Sequence, residues 1–498
     1  MERATQVTFS SKGRLRVVVA GPKESKAESA PAAEWTVKLL QSTPATVLAD
    51  IQLAEVPYRD LDERDALLES LEGQGLKARA LTIGELYGVR GKVIDTRRHA
   101  ILLDEPARTP EAAEARQAEL LQKKATRTTL RTTLVTPGAI EVEVRLGDKV
   151  VGTGHGVRVS SLDEAPIDVR QVEFGVGYDF HGFEDRSFRG ALELAADQRG
   201  QLAVVNTVSL EDLLKGLVPS EIFAKAHPEA LKAQAVTARG EVLAKVGLKH
   251  QADPYLLCSE QHCAVYKGVS GEAATTSAAV DATRGEALFD ATGRLVDSVY
   301  SAVCGGHTED NDVVWGGSPS SSLRGKPDTL PGAKAPPPPG TNLAGFLASE
   351  TAFACQKSSF ANPAKFRWEK RFTAKDVEEK TASLGLGAIQ AMTVAERGVS
   401  GRVKVLTLSG DQGATQVRGE LVIRRLFGML NSAMFEVRPE RDAKGVPTAW
   451  VFKGGGWGHG VGMCQVGAIG RAEAGQTYRE ILGHYYSGAQ VARLYEER

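Results

Sequence analysis

A glycine-dense segment near the C-terminal end places the strongest constraint on the fold. Residues 454–468 contain seven glycines in fifteen positions, together with Trp457, His459 and Gln465. A packed helix or strand disfavours that density, because glycine loses more backbone freedom on folding than any other residue. The segment therefore predicts a loop that closely follows a ligand. We expect Trp457 to stack on a sugar ring, and His459 and Gln465 to hydrogen-bond to sugar hydroxyl or N-acetyl groups.

A carboxyl group in apolar surroundings follows a predicted short helix. Ser209 is a suitable N-cap, the helix is expected to end at Gly216, and the chain then extends to Glu221. A second helix begins at Pro228, where the missing N–H costs nothing. Glu221 is thus followed directly by the apolar pair 222–223, just before a well-defined helix.

Glu221 is a candidate catalytic acid. Cleavage of a glycosidic bond requires proton donation to the leaving oxygen, and a carboxyl group does this near neutral pH when burial raises its pKa. The alternative is that Glu221 caps a helix or pairs with a surface cation. Glu229, the nearest other carboxylate, is expected in the first turn of the second helix, where the helix dipole accounts for it.

Two cysteines and two histidines have the spacing of a metal site. Cys258 and Cys263 are separated by four residues, His262 adjoins Cys263, and His250 lies eight residues before Cys258. Thiolates and imidazoles are ligands that zinc prefers, so we predict a structural zinc held by these four side chains. A disulfide between Cys258 and Cys263 is the alternative, and it would suit an exported protein. The proton chemistry assigned to Glu221 requires no metal.

A third segment combines a diglycine with polar side chains. Gly305 and Gly306 follow a strand-like run, and they allow a ligand to approach the backbone closely. Thr308 and Glu309 offer polar groups to sugar hydroxyls. All four residues are therefore predicted to bind substrate.

Composition excludes several classes of function. The chain has 498 residues, a formal net charge of −1 and 42% apolar residues. So balanced a charge gives no general attraction to nucleic acid or to an anionic membrane. No apolar run approaches the roughly 18 residues that a membrane span requires, and the N-terminus lacks the apolar stretch of a signal peptide. The protein is thus either cytosolic or numbered from after a removed signal.

Changes in composition along the chain predict a mixed α+β protein of several domains. Residues 1–105 are expected to form a small β-α-β accessory module, residues 106–125 a helical linker, and residues 126–186 a β-rich segment. Residues 187–498 are expected to form a larger α+β domain with a proline-rich insertion at 329–341.

These segments together resemble the signature segments of the stage II sporulation protein D family. The similarity runs from about residue 187 and includes the Pro-x-Glu sequence, the diglycine segment and the glycine-dense segment. It implies a lytic transglycosylase that cleaves the β-1,4 bond between N-acetylmuramic acid and N-acetylglucosamine of peptidoglycan, with Glu221 as the single acid and base. The expected products carry 1,6-anhydro-N-acetylmuramic acid ends. The resemblance also implies that Gln261 and Tyr266 line the glycan groove.

The resemblance extends to location and partners. It implies export to the periplasm, cell wall or another extracytoplasmic site, glycan strands stripped of stem peptides as substrate, and a wall amidase as a further partner. Some family members are similar in having paired His and Cys residues at the candidate zinc site. Within residues 1–105, the segment from Trp35 to about Leu103 resembles a sporulation-related repeat, which implies that it binds stripped glycan. The alternative is a domain that serves packing only.

Two other functions remain open at this point. Amidase enhancers share the same segments, so the protein is alternatively a noncatalytic peptidoglycan-binding protein or an amidase activator. A cysteine hydrolase is the second alternative, with Cys464, which stands where the family usually has serine, as nucleophile and His459 or His307 as base. Close spacing of a Cys and a His in sequence does not establish such a pair.

Overall fold

The computed structural model describes residues 4–22, 24–89, 92–124, 128–177, 180–260, 262–334 and 336–495. The N-terminal part consists mainly of strands, with two helices. Its elements in chain order are β1 (Gln6–Ser11), β2 (Leu15–Ala20), β3 (Ser25–Ser29), β4 (Trp35–Thr43), β5 (Thr46–Pro57), α1 (Leu61–Gly73), β6 (Ala78–Ile83), β7 (Leu86–Val89), β8 (Lys92–Asp95), β9 (Arg98–Leu103), α2 (Pro110–Lys124), β10 (Thr129–Thr136), β11 (Ala139–Leu146), β12 (Lys149–Gly154), β13 (Gly156–Ser161), β14 (Ile167–Phe174), β15 (Gly182–Phe188), β16 (Ala191–Ala196) and β17 (Leu202–Thr207).

The C-terminal part alternates helices with short strands. Its elements are α3 (Leu210–Glu221), α4 (Pro228–Ala244), α5 (Ala274–Ala282), β18 (Glu286–Phe289), β19 (Tyr300–Ser301), α6 (Asn311–Trp315), α7 (Leu343–Leu347), α8 (Ala354–Lys357), α9 (Pro363–Phe366), β20 (Arg367–Thr373), α10 (Ala374–Thr381), β21 (Ile389–Arg397), β22 (Val403–Gly410), β23 (Gly413–Arg418), α11 (Glu420–Leu426), β24 (Phe435–Arg441), β25 (Pro447–Gly455), β26 (Met463–Cys464), α12 (Gln465–Glu473), α13 (Tyr478–Tyr485) and β27 (Gln490–Arg493). The chain is therefore a mixed α+β protein with several sheets.

Two sheets join the first strands of the chain to strands more than 100 residues later. One sheet has the order β12-β11-β4-β1-β14-β15, and the other has the order β17-β16-β13-β2-β3. Both contribute to one apolar core, which includes the fully buried Phe9, Val17, Trp35 and Val159. In β2, buried and exposed residues alternate, as expected of a strand with one face on a core.

Residues 46–136, hereafter the insertion module, form a separate antiparallel sheet of order β10-β5-β9-β6 with helices α1 and α2. This is the topology of the split β-α-β fold. The predicted boundaries divide this part of the chain differently, because residue 105 falls inside the insertion module. Strands on either side of the module pair with each other, as β4 does with β11. Pairing between strands so distant in sequence is set by the shared core and leaves no local sequence signal.

The helix that carries Glu221 is longer than the sequence predicts. The expected end at Gly216 is wrong, since α3 continues to Glu221 with Pro219 inside it. Gly216 is required for packing: a Cβ atom there would lie 2.6 Å from the carbonyl oxygen of Gly268. Leu217 and Val218 are buried in the core, and this burial outweighs the cost of a proline near the end of the helix.

Helix α4 lies in the middle of the C-terminal part and packs against α5, α12 and α13. It is buried on nearly all sides, which fixes the position of the residues at its C-terminal end. The predicted proline-rich insertion at 329–341 contains no helix or strand in its described residues. Within the part of the chain that the structure describes, no helix is long and apolar enough to span a membrane.

Candidate active site

Glu221 is the last residue of α3, and its side chain is largely but not fully buried. Burial, and to a lesser extent the nearby Glu241 carboxylate, raise the pKa of its carboxyl group to about 7. Lys245 and hydrogen bonds from the Tyr300 side chain and the Val265 backbone act in the opposite direction. The result is a carboxyl group that is partly protonated at neutral pH.

Three of these neighbours were not identified from the sequence. Glu241 and Lys245 lie one turn apart at the end of α4, with Lys245 Nζ 2.8 Å from Glu241 Oε1. Burial also raises the pKa of Glu241, and the Tyr300 side chain hydrogen-bonds to Glu241 as well as to Glu221. A Glu and a Lys four residues apart usually form an exposed helix pair, so their spacing gave no sign of a site. Only the dense burial of α4 distinguishes them.

Gln465 connects the two segments that were predicted to share a cleft. Its Nε2 donates a 2.7 Å hydrogen bond to the backbone oxygen of Glu221 and a 3.2 Å hydrogen bond to Oε1 of Gln234. The Glu221 segment and the glycine-dense segment are therefore in direct contact. The Gln465 side chain itself is buried and holds this contact together.

His459 fixes the conformation of the glycine-dense segment. Its Nδ1 accepts a 3.0 Å hydrogen bond from the Val461 N–H, so its Nε2 is the donor to the backbone oxygen of Tyr300 at 2.9 Å. Burial lowers the pKa of His459 to about 4, which keeps the ring neutral. Both nitrogens thus bond within the protein, and they position the strand that carries Tyr300.

Two tryptophans near this segment are exposed. Trp457 has 41% of its surface exposed and Trp315 has 55%. The Trp315 ring lies 5.0 Å from the ring of His459, and Lys365 Nζ lies 4.7 Å from the centre of the Trp457 ring. Of the two, only Trp457 was predicted to contact sugar; Trp315 offers a second aromatic face beside it.

The diglycine segment serves packing between loops. Gly305 has a φ of +78°, and a Cβ atom there would lie 2.8 Å from the backbone nitrogen of Gly456. At Gly306 a Cβ atom would lie 2.8 Å from the Phe353 ring. The Thr308 hydroxyl bonds to the backbone of Lys326. The glycines thus let two segments of the chain approach each other.

Glu309 is fully buried, and its carboxylate forms hydrogen bonds to other residues of the protein. It accepts hydrogen bonds from the Ser400 hydroxyl at 2.6 Å and from the backbone N–H groups of Val399 and Ser400. It therefore supports a turn beside the glycine-dense segment.

The glycine-dense segment is less irregular than the sequence predicts. It begins in β25, forms a loop, and continues through β26 into α12, so part of it lies in regular structure. Within the regular structure, glycine is required because neighbouring atoms leave no room for a side chain. A Cβ atom at Gly454 would lie 2.4 Å from the Trp368 ring, and one at Gly467 in α12 would lie 2.3 Å from Asp328 Oδ2.

The four predicted zinc ligands lie together. The potential ligand atoms of His250, Cys258, His262 and Cys263 are all within 4.8 Å of one another. Nε2 of His250 is buried without a hydrogen-bond partner among the described residues, while its Nδ1 lies 2.8 Å from Asp253 Oδ2. A carboxylate on the other ring nitrogen is the usual support of a metal-binding histidine. The donor set therefore fits zinc, and neither cysteine forms a disulfide.

The other two residues predicted in this loop differ in their surroundings. Gln261 lies outside the described residues. The Tyr266 side chain is buried, its ring packs against Phe188, and its hydroxyl donates a 2.9 Å hydrogen bond to Asn206. Tyr266 thus joins α3 and the neighbouring strands to the loop that carries the four candidate zinc ligands.

The fold and this site define an α+β protein in which the backbone of a largely buried acid is hydrogen-bonded to a glycine-dense segment. Residues 198–289, which include Glu221 and the four candidate zinc ligands, match the family model described as stage II sporulation protein, and residues 309–462 match a domain of unknown function. Residues 198–289 of the chain are therefore similar to the stage II sporulation protein family.

Similar proteins are 27–28% identical to this chain over the aligned residues. An uncharacterized protein of Brachyspira hyodysenteriae is 28% identical over 354 residues, which cover 70% of this chain and 81% of that protein. Stage II sporulation protein D of Bacillus subtilis is 27% identical over 307 residues, covering 58% of this chain and 76% of that protein. The amidase enhancer of Bacillus subtilis is 28% identical over 300 residues, covering 56% of this chain and 40% of that protein.

Proposed function

We propose that the protein is an extracytoplasmic lytic transglycosylase that cleaves the β-1,4 bond between N-acetylmuramic acid and N-acetylglucosamine in peptidoglycan strands. The proposal depends mainly on one observation: Glu221, whose backbone is hydrogen-bonded to the glycine-dense segment, has a pKa of about 7. A carboxyl group of that acidity can donate and accept a proton at neutral pH. The names of the related sporulation protein and amidase enhancer support a role at the cell wall.

One carboxyl group is sufficient for this reaction. Protonated Glu221 gives its proton to the glycosidic oxygen as the bond to C1 of N-acetylmuramic acid breaks. The Glu221 carboxylate then takes the proton of the C6 hydroxyl of the same sugar, and O6 bonds to C1. The proton returns to Glu221, the product carries a 1,6-anhydro ring, and no water is consumed.

The neighbouring carboxylate favours this route over hydrolysis. A hydrolase normally uses a second carboxylate to activate water or to attack C1. Glu241 forms an ion pair with Lys245 and a hydrogen bond with Tyr300, so it is not free to activate water. Its role in the proposed reaction is to raise the pKa of Glu221. Tyr300 supports the ionised form of Glu221 during the second proton transfer.

The exposed aromatic rings and the insertion module extend the proposed sugar-binding region. Trp457 and Trp315 supply faces on which sugar rings stack. The insertion module packs against the end of α4, where the Tyr87 hydroxyl donates a 2.8 Å hydrogen bond to the backbone oxygen of Leu243. This contact places the module close to Glu241. We propose that the module binds glycan strands stripped of stem peptides next to the candidate active site.

The pH dependence of cleavage should follow Glu221. The acid form is needed, so kcat/KM should be level below pH 7 and fall about tenfold per pH unit above it. Glu241→Gln removes a like charge and should move the falling limb to lower pH. Release of 1,6-anhydro ends, measured across pH for both proteins, tests this, and an identical limb in the variant would contradict the role of Glu241.

We also propose that His250, Cys258, His262 and Cys263 hold a structural zinc. Zinc would tie the loop after α4 to the strands around it, and Lys245, which donates a 2.6 Å hydrogen bond to the backbone oxygen of Cys263, would be positioned through that loop. The acid-base steps at Glu221 use no metal.

Removing a ligand of this zinc should remove one metal ion per chain. His250→Ala should lower the zinc content by one equivalent, measured by elemental analysis of the purified protein. His155→Ala is the matched control, because among the described residues His155 Nδ1 hydrogen-bonds to a backbone oxygen, at 3.2 Å, and lies in no group of candidate metal ligands. The zinc content of this variant should stay unchanged. Equal zinc contents in the parent and His250→Ala would contradict the site.

A second candidate function is supported by the amidase enhancer relative. A noncatalytic protein would bind glycan and stimulate a wall amidase without cleaving strands. The test is to incubate the protein with purified strands lacking stem peptides and to search for 1,6-anhydro-N-acetylmuramic acid ends by mass spectrometry. New ends support the transglycosylase, whereas bound but uncleaved strands support the binding protein.

A further inference from the structure

A second group of metal-binding side chains lies away from the loop with the paired histidines. It consists of Cys304, Asp328, Cys355 and Cys464, hereafter the thiol cluster. Each of the four is at most 1% exposed, and their potential ligand atoms all lie within 4.8 Å of one another. The five cysteines of the chain are thus divided between two clusters, and none of them forms a disulfide.

The spacing within the thiol cluster matches a tetrahedral zinc site. The Sγ atoms of Cys304 and Cys355 are 3.8 Å apart, and Cys304 Sγ lies 3.2 Å from Asp328 Oδ2. Zinc–sulfur bonds of about 2.3 Å place two thiolates of a tetrahedron about 3.8 Å apart. A disulfide would instead require the two sulfur atoms to approach to about 2.05 Å.

The surroundings of Asp328 leave one of its oxygens for a ligand role. Oδ1 accepts hydrogen bonds from Arg471 at 3.0 Å and from the Tyr485 hydroxyl at 2.9 Å. Oδ2 faces Cys304, and residue 467 must be glycine because a Cβ atom there would lie 2.3 Å from this oxygen. The hydrogen bonds to Oδ1 therefore orient the carboxylate, and hydrogen bonds of this kind are usual for carboxylates that bind a metal.

Backbone N–H groups point at two of the sulfur atoms. Cys464 Sγ accepts from the N–H of Cys304 at 3.1 Å and of Gly467 at 3.3 Å, and Cys304 Sγ accepts from the N–H of Gly306 at 3.4 Å. Cys464 is also the N-cap of α12, where the helix dipole favours negative charge. These contacts stabilise thiolates more than thiols.

Buried cations offset the charge that a bound metal would leave. A divalent ion with three thiolates and one carboxylate carries a net charge of −2. Arg471 Nη2 lies 2.9 Å from Asp328, and Arg402 Nη2 donates a 3.0 Å hydrogen bond to the backbone oxygen of Cys304. Arg367 Nη2 is buried with no hydrogen-bond partner among the described residues. Arg367 Nη1 donates a 2.9 Å hydrogen bond to the backbone oxygen of Gly305, so three guanidinium groups lie beside the thiol cluster or the backbone next to it.

We infer that the thiol cluster is a second, structural zinc site with a Cys3Asp ligand set. Zinc is the metal whose ligand preference and closed tetrahedral geometry suit three thiolates and a carboxylate. Binding releases the three thiol protons to solvent and forms three zinc–sulfur bonds and one zinc–oxygen bond. The site joins the diglycine segment, α8 and the start of α12. It would therefore stabilise the glycine-dense segment of the candidate active site. It does not depend on the function proposed for Glu221.

The decisive experiment removes the other two cysteines. In full-length Cys258→Ser/Cys263→Ser, every remaining thiolate belongs to the thiol cluster. We expect one zinc per chain by elemental analysis and, after exchange with cobalt, the charge-transfer absorption of cobalt bound to thiolate. Adding Cys304→Ser and Cys355→Ser should abolish both signals.

Three results would overturn the inference. The first is the absence of zinc and of cobalt–thiolate absorption in Cys258→Ser/Cys263→Ser. The second is a metal content that Cys304→Ser/Cys355→Ser leaves unchanged. The third is an intact mass lower by two hydrogen atoms, which indicates a disulfide. If the background variant does not fold, the parent chain is compared with Cys304→Ser/Cys355→Ser alone. Loss of one zinc equivalent then supports the site, and equal zinc content contradicts it.

Discussion

Glu221→Gln is expected to reduce the formation of 1,6-anhydro ends by about 1,000-fold, within the usual range for loss of a general acid and base. The amide has the shape of the carboxyl group and can still bond to Tyr300, but it neither gives nor takes the proton. The measurement is the initial rate of end formation on strands lacking stem peptides, followed by mass spectrometry.

The stability of Glu221→Gln separates catalysis from misfolding. The native pKa of Glu221 is about 7 against an ordinary value of 4.5, so the folded state binds more protons than the unfolded state between these values. The parent should therefore lose stability as pH rises from about 4.5 to 7, and the variant should lack this part of the loss. An inactive variant that melts at or above the parent temperature at pH 8 would fit this account.

Glu241→Gln is the matched control, since it removes the other carboxyl group that contacts Tyr300. It should retain catalysis with a shifted pH profile. Anhydro ends that are equally abundant with Glu221→Gln and the parent would remove Glu221 from the mechanism. A parent that forms no ends, yet binds strands, would support the amidase activator.

Gly456→Ala is expected to destabilise the protein strongly. The residue has a φ of +85°, and a Cβ atom there would lie 2.8 Å from the carbonyl oxygen of Val303. The nearest atoms all belong to the backbone of Val303 and Cys304, so the neighbouring segment cannot move aside at low energetic cost. We expect a loss of about 3 kcal/mol in the free energy of unfolding, together with reduced cleavage because Trp457 and Gln465 are displaced.

Gly475→Ala provides the control for backbone strain alone. Gly475 has a φ of +90° but no atom within 4 Å of a Cβ position. Its substitution should cost about 1 kcal/mol and leave cleavage unchanged. Denaturant titration followed by tryptophan fluorescence measures both variants. Equal losses would show that crowding between the two glycine segments is unimportant.

Much of the candidate site was accessible from local sequence. The Pro-x-Glu sequence, the four His and Cys residues and the glycine-dense segment each combine residue types that suggest a chemistry without reference to the fold. The hydrogen bond between Gln465 and the Glu221 backbone shows that two of these segments do meet. The roles of single residues were harder to predict, as His459 and Glu309 illustrate, because their polar atoms are satisfied by partners elsewhere in the chain.

Sequence alone determined which side chains were available: an acid beside apolar residues, five thiols, and a segment dense in glycine. Only the tertiary structure decided which of them are neighbours. Strands before and after the insertion module share a sheet, burial and then Glu241 raise the pKa of Glu221, and three distant cysteines converge on Asp328. The physical reason is that burial, like-charge repulsion and ligand geometry depend on distances in space, which packing of the core fixes and sequence spacing does not.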